Sequence, residues 1–232
     1  FFNSMHSDAT GLDSTKLDVE TRADLDLIEK FCEMQLLELD KIQSYKHNPA
    51  MYVELIGRAI NGPFTLSYAP ENERFRNIIS RLNHIPEFLT NARANLTDSP
   101  KIWNEVAQSE DQGNIDLIDH QVRSKIPAAL EKDYDAAASK ALAAIHEFDD
   151  WLKNSLSKHE SNWRLGHTLY AEKFRYALAN GLTPEQTLAD AETELEVVRR
   201  DMKQQALSLW PRYFPGKQAP SDTNAVIVPV LD

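Results

Sequence analysis

Residues 158–170, KHESNWRLGHTLY, hold two histidines and a glutamate within nine positions. A His-Glu pair on a helix is a common beginning of a zinc hydrolase site, so the spacing decides what this stretch can do. Two imidazoles on one zinc each lie about 2.0–2.1 Å from it, which keeps their nitrogens within roughly 4 Å of each other. On a helix, that requires positions i and i+4. Four residues after His159 stands Trp163, and four after His146, which is also followed by a glutamate, stands Asp150. His159 and His167 are separated by about 12 Å of helical rise, with Gly166 between them. No acid stands three residues before any histidine, so the Glu-x-x-His pattern of di-iron bundles is missing too. Phosphate-binding glycine loops and the nucleophile elbow are likewise not found. The histidines read as structural or solvated groups, and no cofactor is expected on this chain.

Arg164 carries a different chemistry. It precedes Gly166 at an expected junction between helices, and its guanidinium is suited to bidentate capture of a carboxylate. The competing reading is an ion pair with one of the many acids, or a contact with a helix C-terminus. Arg164, His167 and Tyr170 are the candidate cleft or ligand contacts. Acidic pairs such as Asp24/Asp26 and Asp149/Asp150 are expected on exposed helix faces. Carboxylates brought together by folding cannot be read from spacing. The single cysteine, Cys32, sits in an apolar helical run and reads as a buried, inert thiol.

The elements that must position these residues are helical. The chain has 232 residues, only 7 glycines and 11 prolines, and a net charge of −11 from 25 basic and 36 acidic side chains. That charge disfavours nucleic acid and anionic membrane surfaces. No run reaches the 18 or so apolar residues that a membrane-spanning helix needs. Residues 1–14 read as a loop, then a helix from about 14 to 46 carries Leu25, Ile28, Cys32, Leu36 and Leu39 at steps of three and four. Leu27, Phe31, Met34 and Leu37 widen its apolar face, which predicts cover on more than one side.

A short helix is expected from Pro49 to Ile60, broken by Asn61-Gly62-Pro63. Others follow over 70–83 and from Pro86 to about Leu96. Ser99 and Pro100 are expected to cap and open the next helix. Two long helices, 100–126 and 127–160, meet near Pro127. In the second, Leu130, Tyr134, Ala137, Ala141, Ile145, Phe148 and Leu152 form a narrow seam suited to a neighbouring helix. Thr183, Pro184 and Gln186 form a capping box that opens the last long helix, with its own seam at Leu188, Ala191, Leu195, Val198, Met202 and Leu209. The β-branched tail, Val226, Ile227, Val228 and Val230, is a candidate single strand without an upstream partner. The expectation is an all-α fold: long antiparallel helices in an elongated bundle, one domain over 1–215 and a tail or linker over 216–232.

Three segments carry a family resemblance: HNPAMY (47–52), RLNHIPEFLTNARANL (81–96) and the run from Asn162 through Trp-Arg-Leu-Gly to the Thr-Pro-Glu helix. In this order they resemble the bacterial domain of unknown function 885 family, over roughly residues 45–215. The resemblance implies larger, largely helical proteins that look like zinc-dependent peptidases, many exported and some lipid-anchored. It places them in the periplasm or cell envelope. The family's metal motif lies downstream of the Thr-Pro-Glu helix, so no ligand or catalytic glutamate is carried onto this chain. The chain begins at Phe1 without a leader-like basic stretch, as expected of a processed chain or a piece of a longer one. By this resemblance the chain is the N-terminal helical part, forming one wall of a substrate cleft. Its partners would be a C-terminal half of the same protein and a peptide, with zinc held by that half. The alternative is a non-catalytic helical envelope module that binds protein or peptide.

Overall fold

The computed structural model of the chain describes residues 1–178 and 181–231. Asn180, ahead of the expected capping box, and Asp232, at the end of the tail, lie outside them. Nine α-helices are found among the described residues and no strand, only an isolated bridge between Ser99 and Glu160. The fold is an all-α bundle. Packing divides the chain into two units, one of Phe1–Leu12 with Cys32–Gly166 and one of Asp13–Phe31 with His167–Asp232.

The first unit contains α1 (Phe2–Thr10), α3 (Pro49–Thr65), α4 (Glu71–Asn95), α5 (Lys101–Asp116) and α6 (Glu131–Asn154). Helix α2 (Val19–Leu37) is divided between the units. The expected seam of α6 is buried at every position, from Leu130 through Tyr134 and Phe148 to Leu152. It packs chiefly on α4, while α3 packs on α4 and α5. The Tyr134 hydroxyl, wholly inside, donates to the Ile118 carbonyl, which satisfies the one polar atom on that ring.

Several expected breaks are absent. The amino terminus is a helix, not a loop, with Gly11 closing it through bonds to Ser7 and Ala9. Helix α3 continues through Asn61-Gly62-Pro63, and its last carbonyls are taken by Arg74, whose Nη1 lies 2.8 Å from the Pro63 oxygen and 3.1 Å from that of Phe64. A cation at a helix C-terminus stabilises it both by hydrogen bonding and through the helix dipole. Helix α4 likewise runs through Pro86. An interior proline costs roughly 3 kcal/mol, but Leu82, Ile85 and Leu89 are buried straight across it, and that burial keeps the helix in register.

Close approach of α3 to α5 depends on Gly57. A Cβ there would lie 2.7 Å from Asn114 Oδ1. The Asn114 amide donates to the Val53 carbonyl at 3.0 Å, so the glycine makes room for a buried hydrogen bond between the two helices.

The second unit holds α7 (Gly166–Leu178, beginning at the boundary residue), α8 (Pro184–Tyr213) and α9 (Thr223–Leu231). Thr183 and Gln186 form the expected capping box, with the Thr183 hydroxyl accepting from Gln186 N–H at 3.2 Å and the Gln186 side chain accepting from Thr183 N–H at 2.9 Å. The tail is a helix, not the candidate strand. Asp222 accepts the Ala225 N–H at 2.8 Å, and Val226 and Ile227 pack with Ala206 and Trp210. The β-branched penalty in a helix is at most about 0.7 kcal/mol per residue, less than the cost of leaving a lone strand's backbone unpaired.

Candidate functional site

The polar centre of the first unit is a stripe on α5. Asn104, Gln108, Asp111 and Asn114 follow at steps of four, three and three, which places them on one helix face. Asn104, Asp111 and Asn114 are buried. Asn104 donates to the Leu152 carbonyl at 3.1 Å and accepts from Gln108 at 3.0 Å. Leu152 lies in the last turn of α6, whose carbonyls lack helical partners, so Asn104 closes the end of α6 from the side.

Two buried carboxylates belong to this polar centre, Asp111 on the α5 stripe and Asp149 on α6. Asp149, expected on an exposed face, is 4% exposed. It lies four residues after Ile145 and three before Leu152, within the buried seam. One of its oxygens takes Lys153 Nζ at 2.6 Å, and the other has no partner among the described residues. Asp111 is completely buried, neither of its oxygens has a hydrogen bond of good geometry among the described residues, and the Asn114 side chain is its neutral polar neighbour. Burial, then the Asp149 charge, pushes the Asp111 carboxyl up to about 8, so it is protonated at neutral pH. Hydrogen bonding to Asp149 raises Lys153 above its ordinary value. Both carboxylates are closed off from solvent, and the arrangement as it stands is an interior electrostatic contact.

Above this stripe the surface opens. A cavity of about 340 Å³ is lined by Asn104, Gln108, Lys153 and Ser157 among others. A wider cleft of about 800 Å³ is bounded by Ile102, Asn162, Trp163 and Arg164. The two share Lys101, Glu105 and Glu160 as a common wall. Ser99, expected as the cap of α5, instead pairs with the 159–161 segment: its N–H donates to the His159 carbonyl at 3.0 Å and its carbonyl accepts from Ser161 N–H at 3.3 Å. Helix α5 begins one residue later than expected, with Pro100 outside it.

Arg164 is exposed in this cleft. Its guanidinium lies 4.3 Å from the centre of the Trp163 ring. Among the described residues no carboxylate comes within the 4.0 Å that would make an ion pair with it. Two residues on, Gly166 takes φ +77, a left-handed conformation that glycine adopts without strain. The other two candidates lie in the second unit and have other surroundings. His167 Nε2 is 2.8 Å from Glu185 Oε1, and that bond first of all holds the Glu185 carboxyl below its usual range. Tyr170 is exposed and its ring centre lies 6.0 Å from that of Phe174. The Cys32 thiol is fully buried.

A zinc centre needs three or four donors converging on one point. No group of three or more His, Cys, Asp or Glu side chains does so among the described residues. No helix among them is long and apolar enough to cross a membrane.

These features define an all-helical protein with a polar cleft at the junction of α5, α6 and the 159–165 segment. The chain belongs to the family described as "Bacterial protein of unknown function (DUF885)", whose model matches residues 3–226. A solved structure with the same fold is a "putative lipoprotein of unknown function" from Shewanella oneidensis, at TM-score 0.84 and 21% identity. The match covers 99% of this chain and 43% of that one, so this chain spans less than half of its structural neighbour. No curated protein matches it.

Proposed function

We propose that this chain is the helical, substrate-binding part of a peptide hydrolase of the bacterial cell envelope, and that it lines a cleft without performing turnover. The observation that carries the reading is the polar cleft of the first unit. It combines an open volume of about 800 Å³, charges of both signs and an arginine that makes no ion pair among the described residues. Peptides present the matching groups: amides along the chain and charges at the ends. The described residues assemble no metal site, so no hydrolytic step is assigned to them. In longer family members, zinc and the residues that use it would belong to the remaining part. A lipoprotein location rests on the description of the structural neighbour.

A second reading has its own support. Two largely apolar grooves are open, one between α3 and α4 around Leu55, Ile56 and Phe88, and one between α8 and α9 around Met202, Leu209 and Val230. These suit a non-catalytic envelope module that docks protein or peptide. The two readings separate in one experiment: peptide hydrolysis and bound zinc are measured in this chain and in a longer family member. The hydrolase reading expects both in the longer protein and neither in this chain. Turnover by this chain alone, or an inert longer protein, would contradict it.

A further inference from the structure

We infer that the 160–164 segment is a docking edge for the C-terminal end of an extended peptide, with the terminal carboxylate held by Arg164. The inference rests on the peptide-binding reading of the first unit's cleft and adds the part of the peptide that is recognised.

The backbone supplies the first observation. Ser99 bridges to Glu160 in parallel fashion, bonding to the carbonyl of His159 and the N–H of Ser161. In such a pairing the N–H and C=O of the intervening residue point away from the partner. Those groups of Glu160, and the N–H of Asn162, have no hydrogen-bond partner among the described residues. Glu160 and Asn162 both line the cleft. Backbone groups left open beside a parallel bridge are a template for pairing with an added chain, which is how many domains bind extended peptides.

Arg164 supplies the second. Its Cζ lies over the Trp163 ring, 4.3 Å from the centroid, a cation–π contact that leaves the N–H groups free for a planar, bidentate partner. Arg164 makes no ion pair among the described residues, and it lines the cleft. The cleft wall also carries Glu105 and Glu160, which oppose a phosphate dianion or a nucleic acid backbone but tolerate a single carboxylate. The Arg164 N–H is itself fixed by Asn162 Oδ1 at 3.0 Å, so the position of the side chain is coupled to the edge that would receive the peptide. A carboxylate could come from the peptide terminus or from an acidic side chain. The terminus is favoured because Arg164 stands at the far end of the open segment, two residues before Gly166 starts a helix.

The test is calorimetric titration of the chain with three peptides: a neutral acetylated pentapeptide as free acid, its C-terminal amide, and the amide carrying one internal glutamate. The free acid is expected to bind on the order of tenfold more tightly than either amide, as for one charge-assisted bidentate contact. Arg164→Gln should bring free acid and amide within about twofold of each other, and Arg164→Lys should keep part of the preference. Methylating alternate amides of the free acid should weaken it, because edge pairing needs those donors. Equal binding of acid and amide, equal binding of the glutamate amide and the acid, no binding of any peptide, or an unchanged preference in Arg164→Gln would overturn the inference. Hydrolysis by a longer family member does not depend on this outcome. Acid-selective binding beside an inert longer protein would keep the docking edge and remove the hydrolase.

Discussion

Helices α6 and α8 carry equally regular apolar seams, and the two have opposite fates. From Leu130 to Leu152 every seam residue of α6 is buried, whereas Leu188 and Leu195 on α8 are 61% and 57% exposed, and Val198, Met202 and Leu209 also face solvent. The first unit has a continuous core drawn from α3, α4, α5 and α6, while the buried cluster of the second consists of Ala206, Trp210, Val226 and Ile227. Period 3.6 therefore specifies a helix and a face, and says nothing about what covers that face. A seam becomes core only where another element of similar length lies against it.

The largest expected effect tests that contrast in stability. Phe148→Ala, in the α6 seam, should cost about 3–5 kcal/mol through lost burial and the cavity left behind. Leu195→Ala, in the α8 seam, should stay within about 0.5 kcal/mol. Urea unfolding of the two variants checks this, and comparable losses would mean that the α8 face is covered in solution.

Next in size is a pH effect confined to the first unit. Asp111 has its folded proton affinity raised to about 8, against an ordinary carboxylate value near 3.9. Between those values the folded chain holds a proton that the unfolded chain has released. Stability therefore falls as pH rises through this window, by up to about 1.4 kcal/mol per pH unit, and levels off above it. Glu110, Asp149 and Lys153 are the charged groups that act on this carboxyl. Asp111→Asn should flatten the dependence and make the variant the more stable form at pH 8. Unfolding midpoints at pH 5 and pH 8 decide it, and a variant that keeps the full slope would assign the proton elsewhere.

A smaller effect belongs to the second unit. Thr183→Ala removes half of the capping box and should cost about 1 kcal/mol. Hydrogen exchange should show faster opening of the first turn of α8 and no change in α6. The smallest is His167→Ala. Its bond to Glu185 is exposed on both sides, and exposed pairs contribute little, so thermal unfolding should be unchanged. Because Glu185 is held below its usual range, any stabilisation from the pair is present above the ordinary glutamate value and is lost as pH falls through the lowered one.

The sequence was most legible where local chemistry and tertiary packing agree. The α6 seam, the Thr183 capping box, the helical runs around Pro127 and the buried Cys32 all follow from spacing. Prolines misled in one direction: Pro63 and Pro86 mark helix ends by local rule, and both sit inside helices held by Arg74 or by a buried seam. The tail misled in the other, since β-branched residues favour a strand but a helix satisfies its own backbone. The site was half legible. Arg164 could be singled out from its place before Gly166. Asp111 and Asp149 could not be paired, because their approach depends on α5 lying against α6. A signal was nevertheless present: each acid falls in phase with buried neighbours, Asp111 with Ala107 and Ile118, and Asp149 with Ile145 and Leu152. An acid on the apolar phase of a helix marks an interior polar contact better than adjacent acids do.

On the proposed function, the polar cleft of the first unit, and not an apolar groove, receives the ligand. Backbone NMR of the chain during titration with the free-acid pentapeptide tests it most directly. Shifts are expected to concentrate at residues 99–105 and 160–165, with Arg164 and Glu160 among the largest. Shifts concentrated along α8 and α9, or around Leu55 and Phe88, would contradict it.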